Sequence, residues 1–488
     1  MNSTNSCRNG RDRRPSLIPS ISSGIAGLIV CALLISAVPL WGQDEPSEAS
    51  AQEEEPAQEE AQEEESRSIL EDWRDTLRFG INSQVVELIP TLRDERVTEL
   101  EPEVRRLLEN SRNESVQEEI LGYYRALELP QGQAQAVAFL EEYQVGTTER
   151  TQGAINYLAD VPPEERELRA RIGETLAEII DQGGPQIAAS AARQIGTYEE
   201  QIGIDRMVEL FNESVSPDVR AAIILSLGDM ANPEAFDFLV DIAEDDANAM
   251  ILRQYAVDSL GKLGIEEAVP VISELLGADN SLLRAYAVSA LGRFENEEAA
   301  DALMTALRDE FWRARVFALQ GIARLEIEEA VPAVLYKVRS DPEERVRLEA
   351  VKTLEAFRNG EVRGFVEETV TDPRAAQPIR LAMVDLLLEW GDPEAISTIE
   401  AVMAQEWSEE DSRILDRIGK EASRRENEAF APLYEKMLTH SNFIIRIYGA
   451  RGIGRNRLSG YRERLEAMTE EGNHPAVQQN ARRALERL

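Results

Sequence analysis

The chain has 488 residues, and its 52 Lys and Arg against 91 Asp and Glu give a formal net charge of −39. Such a surface repels nucleic acids and anionic lipid headgroups, which excludes both as general partners. The only cysteines are Cys7 and Cys31, and the only imidazoles are those of His440 and His474. We therefore expect no catalytic residues, no metal site and no cofactor in the body of the chain, and no enzyme activity.

Residues 1–43 are predicted to be a signal peptide or an N-terminal membrane anchor. Four Arg between positions 8 and 14 precede an uncharged stretch, residues 15–43, with the apolar centre GIAGLIVCALLISAVPLW. A basic start, an apolar middle and the small residue Gly42 near the end are typical of a secretory signal. The uncharged length also suffices for an uncleaved anchor. Either way the body is expected outside the cytoplasm, in the periplasm or cell envelope, with membrane contact only through residues 15–43 if they remain uncleaved.

Residues 44–65 form an acidic segment of Glu, Gln, Ala, Ser and Pro, with eleven acidic residues and no basic ones. Because it has no large apolar side chains to bury, we expect a disordered, self-repelling linker. Alternatively, the segment attracts a basic partner or calcium ions.

Residues 66–183 have the apolar spacing of helices but a blurred repeat, and are predicted to be divergent N-terminal helical repeats. A divergent first repeat is expected, because a terminal repeat exposes one face to water.

Residues 184–488 are predicted to be a regular solenoid of helical pairs. PDVRAAIILSLGDM, MILRQYAVDSLGKL and SLLRAYAVSALGRF repeat one pattern, and Leu227, Leu260, Leu291 and Ile322 follow each other at steps of 33, 31 and 31 residues. A fixed period in this range is typical of repeats that bury their apolar faces against neighbours.

A second register marks the first helix of each pair. Asn232, Asn296 and Asp392 are predicted N-caps, and Pro233 and Pro393 fit the first helical position.

An Asp followed by Val-Arg or a similar pair, small residues and Ala-Leu-Gly, seen in residues 279–292 and 341–354, resembles the short HEAT-like repeats of bilin-lyase-type proteins. The resemblance covers residues 184–488 well and 66–183 weakly. It implies an all-α fold, a right-handed α-α superhelix of about 8–11 helical-pair repeats. It says little about function, because such solenoids serve unrelated roles.

Two residue columns recur along the predicted second helices. The first consists of Arg220, Arg253, Arg284, Arg315, Arg347, Arg380 and Arg446. It is either a basic ladder for an anionic ligand or, as recurrence in almost every repeat favours, a structural ladder bonded to nearby Asp and turn carbonyls. The second consists of the aromatic residues Tyr255, Tyr286, Phe317 and Tyr448. These are the candidate partner-binding residues, and the alternative is packing between repeats.

We therefore expect a non-enzymatic exported scaffold whose concave face holds a protein partner with basic patches. The alternatives are a lyase-type, ligand-attachment or chaperone factor, which the bilin-lyase resemblance implies, and a purely structural envelope spacer.

Overall fold

The computed structural model describes residues 54–144, 148–409 and 411–488. These residues are helical, apart from turns and one isolated bridge between Glu471 and Asn473. They divide into two compact units, Met1–Glu164 and Glu165–Leu488. The predicted signal or anchor, residues 1–43, lies outside the described residues. Among the helices that are described, none has the length and apolar character needed to cross a membrane.

The first unit contains three helical pairs in its described part. Its helices are α1 (Glu54–Phe79), α2 (Asn82–Asp94), α3 (Glu101–Asn110), α4 (Glu114–Ala126), α5 (Gln133–Glu141) and α6 (Thr148–Asp160). The second helices pack in sequence, α2 on α4 and α4 on α6. Helix α1 begins at Glu54, so residues 54–65 are helical where the sequence predicted a disordered linker. Glu, Gln and Ala all have high helix propensity, which a prediction from the lack of apolar side chains leaves out.

The second unit contains ten helical pairs, with odd labels for first helices and even labels for second helices. They are α7 (Arg166–Gln182), α8 (Pro185–Gln194), α9 (Glu199–Glu213), α10 (Pro217–Met230), α11 (Phe236–Glu244), α12 (Met250–Leu263), α13 (Ala268–Glu274), α14 (Ser281–Leu291), α15 (Glu297–Ala306), α16 (Trp312–Arg324), α17 (Val331–Ser340), α18 (Glu344–Thr353), α19 (Gly360–Thr371), α20 (Gln377–Trp390), α21 (Pro393–Glu406), α22 (Arg413–Ala422), α23 (Ala431–Met437), α24 (Phe443–Arg455), α25 (Arg462–Met468) and α26 (Pro475–Leu485).

Each second helix from α8 to α26 packs on the next second helix, so the unit is an α-α superhelix with a continuous layer of second helices. The described part of the chain holds thirteen pairs, more than the eight to eleven expected. The unit begins at Glu165, and its first helix α7 packs on α8.

The predicted repeat register is confirmed by burial. Leu227, Leu260, Leu291 and Ile322 are each 0% exposed. They therefore form the core between the helix layers, where each repeat closes the apolar face of its neighbour.

The predicted helix starts are also confirmed. The side chains of Asn232, Asn296 and Asp392 accept hydrogen bonds from backbone N–H groups two or three residues later. Each cap satisfies a donor that the first helical turn leaves without a partner.

Glycines bring neighbouring second helices into close contact. A Cβ atom on Gly228 would lie 2.7 Å from the Cα of Ser259, and one on Gly292 would lie 3.1 Å from the Cα of Gly321. The Gly that closes most repeats thus lets the helix backbones approach, and any side chain there would push them apart.

Candidate partner-binding surface

Three of the predicted aromatic residues lie side by side. Tyr255 on α12, Tyr286 on α14 and Phe317 on α16 are half-buried at equivalent positions of three helices that pack in sequence. We call these three residues the aromatic strip, and the solvent-facing side of the even-numbered helices the second-helix face. Neither Tyr hydroxyl donates or accepts a hydrogen bond with the described residues. The strip therefore offers aromatic surface with two free hydroxyl groups, a combination typical of binding hot spots.

The apolar surface extends one helical turn from the strip. Ile251, four residues before Tyr255, is 43% exposed. Leu282 has the same relation to Tyr286 and is half-buried. An exposed aliphatic side chain beside aromatic rings enlarges the area that a partner could cover.

Tyr448 on α24 does not join the strip, because α18, α20 and α22 intervene. Its Cβ lies 3.2 Å from the position that a Cβ on Gly419 would take. Its hydroxyl donates to Asp416 Oδ1 at 3.1 Å. Burial and the Asp416 carboxylate both raise the pKa of Tyr448. This residue packs between α22 and α24, which is the alternative interpretation for the aromatic column.

Trp312 adds an aromatic group that the sequence analysis missed. The guanidinium carbons of Arg345 and Arg313 lie 4.2 and 5.2 Å from its ring centroid. Both Arg side chains are exposed at the start of second helices beside the strip. Cation–π stacking holds them in place on this face. The signal available in the sequence was a Trp directly before the repeat motif RARVFAL.

Ion pairs between neighbouring second helices border the strip. Arg293 Nη2 lies 2.9 Å from Asp258 Oδ1, and Lys262 Nζ lies 2.7 Å from Asp229 Oδ1. Asp258 follows Tyr255 by one helical turn. The strip is therefore bordered by charged side chains that form ion pairs with each other, as in protein interfaces with an apolar centre and a polar rim.

Charge is divided between the two helix layers. The second helices from α10 to α26 hold 19 Lys and Arg against 9 Asp and Glu, whereas the first helices from α11 to α25 hold 6 against 16. Without the seven Arg of the ladder, the second helices still have more cations than acids. The second-helix face is therefore locally basic in a strongly acidic chain.

The hydrogen bonds of the Arg ladder support its structural interpretation. Arg315 donates to the carbonyl oxygens of Asp309 and Glu310, at 2.8 and 3.1 Å, in the turn before its helix. Arg380 likewise donates to Val370 O at 2.9 Å. Each Arg side chain therefore stabilises the turn before its helix. Arg315 and Arg380 are also buried, at 5% and 7% exposed, and so are not available to a ligand.

The two His are turn residues. The buried ring of His440 accepts from Asn442 N through Nδ1 at 3.0 Å, and its Nε2 lies 3.1 Å from Trp407 O. His474 Nδ1 accepts from Ala476 N at 3.2 Å and caps α26. Within the described ranges, no group of His, Cys, Asp and Glu is arranged to hold a metal ion.

A cavity of about 440 Å³ lies on the second-helix face where α22, α24 and α26 end. It is lined by Tyr448, Asn480 and six cations: Lys420, Arg424, Arg451, Arg455, Arg483 and Arg487. We call it the C-terminal cationic cavity. No acidic residue lines it, although Glu421 pairs with Arg424 at 3.3 Å and Glu426 with Arg455 at 3.5 Å at its edge.

This cavity was not predicted from the sequence, because the net charge of −39 conceals a local excess of cations. Residues 411–488 contain fifteen Lys and Arg against eleven Asp and Glu, the opposite balance to the chain as a whole. Counting charge repeat by repeat would have shown the reversal.

A family model described as "Spirochaete HEAT repeat protein" matches residues 77–484. This chain belongs to that family of HEAT repeat proteins. No curated protein matches it.

The chain is similar to solved structures at low sequence identity, and the first of those below shows the same fold. Kap95p in a complex with RanGDP is 14% identical, with a TM-score of 0.50 over 79% of this chain and 60% of that one. The complex of CpcE and CpcF of phycocyanin lyase from Nostoc sp. PCC7120 is 16% identical, with a TM-score of 0.29 over 63% and 97%. Human deoxyhypusine hydroxylase is 19% identical, with a TM-score of 0.25 over 54% and 98%.

Proposed function

We propose that this chain is an exported, non-enzymatic scaffold that holds a protein partner on its second-helix face. The observation that carries the proposal is the aromatic strip, where Tyr255, Tyr286 and Phe317 lie on three adjacent helices. A solenoid with a row of equivalent aromatic positions suits an extended or helical segment that crosses several repeats. Export is proposed from the basic and apolar pattern of residues 1–43.

The different charges of the two helix layers indicate what charge the partner should carry. On the second-helix face, the excess of Lys and Arg favours a partner segment with acidic residues beside an apolar centre. A partner with basic patches, expected from the net charge of −39, fits the first helices instead, where acids outnumber cations. Both kinds of contact would weaken as salt concentration rises.

A pull-down from envelope extract tests the proposal. The bait is the chain from residue 44 onward, washed at low and at high salt, and compared with a variant in which Tyr255, Tyr286 and Phe317 are all replaced by Ala. The matched control is Tyr336→Ala, because Tyr336 is 61% exposed on the first helix α17. We expect proteins that the wild type and Tyr336→Ala retain and the triple variant loses.

Far-ultraviolet circular dichroism must show equal helix content in all three baits. Equal capture by the triple variant would contradict the proposal. Capture by none of the baits at either salt concentration would favour the spacer, or a small ligand of the kind that the lyase-type alternative requires.

A further inference from the structure

The C-terminal cationic cavity concentrates positive charge in an acidic protein. Of its six cations, Lys420, Arg483 and Arg487 pair with no acid among the described residues. Arg451 is bonded through Nε to the amide oxygen of Asn480 at 2.9 Å, which carries no charge. Cations this close repel one another, so an anionic occupant would relieve the repulsion.

The position of the cavity indicates which anion it suits. A single Lys or Arg in the last turn of each helix would satisfy the helix dipole, and six converging cations exceed that need. Phosphate sites characteristically use the backbone N–H groups of helix N-termini. This cavity lies instead at the C-terminal ends of α22, α24 and α26, and its donors are side chains on long stems. Arg forms paired hydrogen bonds with carboxylates and with phosphates alike, and donors spread over three helices match carboxylates spaced along a peptide.

The chain itself contains a segment of this chemistry. Residues 44–65 hold eleven acids and no base, and they lie at the opposite end of the sequence from the cavity. We propose that the C-terminal cationic cavity binds this Glu-rich segment from a second copy of the chain. In the second unit, the second helices from α8 to α26 pack one on the next in chain order. The cavity, at α22 to α26, therefore lies at the end of the unit away from Glu165. A second copy can supply the segment without the chain closing on itself.

This contact is head-to-tail, because one copy supplies the cavity and the next supplies the segment. Head-to-tail contacts build rings or open chains. The inference does not depend on the aromatic strip, so either can fail without the other.

The first experiment measures peptide binding to the chain from residue 44 onward, at protein concentrations too low for self-association. A fluorescent peptide of residues 44–65 is compared with a version in which every Asp is replaced by Asn and every Glu by Gln. Binding is measured for the wild type, for the variant Arg483→Glu with Arg487→Glu, and for the control Arg308→Glu with Arg462→Glu. The four Arg are all exposed, and both control positions lie outside the cavity.

We expect the acidic peptide to bind and the amide peptide not to bind. The cavity variant should bind at least about tenfold more weakly, a loss of about 1.4 kcal/mol, while the control variant, with the same change in net charge, should match the wild type. Equal binding by both variants would overturn the proposal. So would an affinity for pyrophosphate that depends on Arg483 and Arg487 in a protein that does not bind the peptide.

The second experiment is sedimentation velocity over a range of protein concentrations. The wild type and the control variant should associate as concentration rises, and the cavity variant should remain monomeric. Association that persists in the cavity variant, or a wild type that stays monomeric at every concentration, would overturn the role of a second copy.

Discussion

Arg315 donates hydrogen bonds to both carboxylate oxygens of Asp341, at 2.8 and 2.7 Å, across 26 residues of sequence. Arg315 lies on the second helix of one pair, and Asp341 follows the first helix of the next. Arg284 makes the same connection to Asp309 at 2.7 and 3.0 Å. At these two positions the Arg ladder therefore fixes one repeat to its successor as well as bracing its own turn.

Replacing Asp341 by Asn should destabilise the second unit by about 3–5 kcal/mol, because Arg315 would be left buried without an opposite charge. Denaturant unfolding followed by circular dichroism measures this loss. The control is Asp229→Asn, since Asp229 pairs with Lys262 and their side chains are 66% and 28% exposed, and a loss of about 0–1 kcal/mol is expected there. Equal losses at both positions would show that burial does not determine how much an ion pair contributes to the free energy of unfolding.

The same pair predicts a pH dependence. Burial alone would raise the pKa of Asp341, but hydrogen bonds from Arg315, Glu343 N and Lys337 together hold it below its ordinary value of 3.8. A carboxyl group with a lowered pKa contributes full stability above its ordinary pKa and loses that contribution as pH falls through the folded-state value. The stability difference between wild type and Asp341→Asn should therefore be constant above about pH 5 and shrink below about pH 4. A difference that stays the same down to pH 2.5 would contradict this.

The fold could be predicted from the sequence because its signals are local and repeated. Leu260 and Leu291 recur at a fixed step, and Asn232 and Asn296 mark helix starts by their own chemistry. The partners of the ladder were only partly predictable. Bonds to a nearby Asp or to turn carbonyls were expected, and the upstream turns of Arg315 and Arg284 do contribute carbonyl oxygens. The carboxylates come from the next repeat, and that pairing depends on how repeats stack.

Glycine positions at the crossing of second helices should resist substitution. Gly228→Ala would place a Cβ 2.7 Å from the Cα of Ser259, so we expect a loss of about 1–3 kcal/mol from forced backbone movement. Gly364→Ala is the matched control, because no atom lies within 4 Å of its Cβ position inside α19. That substitution should be neutral or stabilise by about 0.5–1 kcal/mol. Thermal unfolding of both variants checks the contrast, which a Gly228→Ala variant as stable as wild type would refute.

Tyr448 and Tyr286 should differ in what they contribute. Tyr448→Ala removes a ring packed on Gly419 and a hydrogen bond to Asp416, so a loss of about 2–4 kcal/mol is expected. Tyr286→Ala removes a half-buried ring with no hydrogen bond, and about 1–2 kcal/mol is expected. Denaturant unfolding of the two single variants measures this. A larger loss at Tyr286 would identify the aromatic strip as packing between repeats.

The candidate surface was less predictable than the fold. The spacing of Tyr255 and Tyr286 placed them on one face, but the same spacing grouped Tyr448 with them. Only the packing shows that three second helices separate Tyr448 from the strip and that its ring lies against Gly419. The cationic cavity needs Lys420, Arg455 and Arg487 to converge from three helices, and no single motif contains them.

Site-specific photo-crosslinking tests the central claim that the second-helix face holds a protein partner. A photoreactive phenylalanine analogue replaces Tyr286 or Phe317 in one set of proteins and the exposed Tyr336 of α17 in another, and each is illuminated in envelope extract. We predict that the same partner is crosslinked from positions 286 and 317 and not from 336. Crosslinks from position 336 alone would show that the partner binds the first helices and would contradict the account.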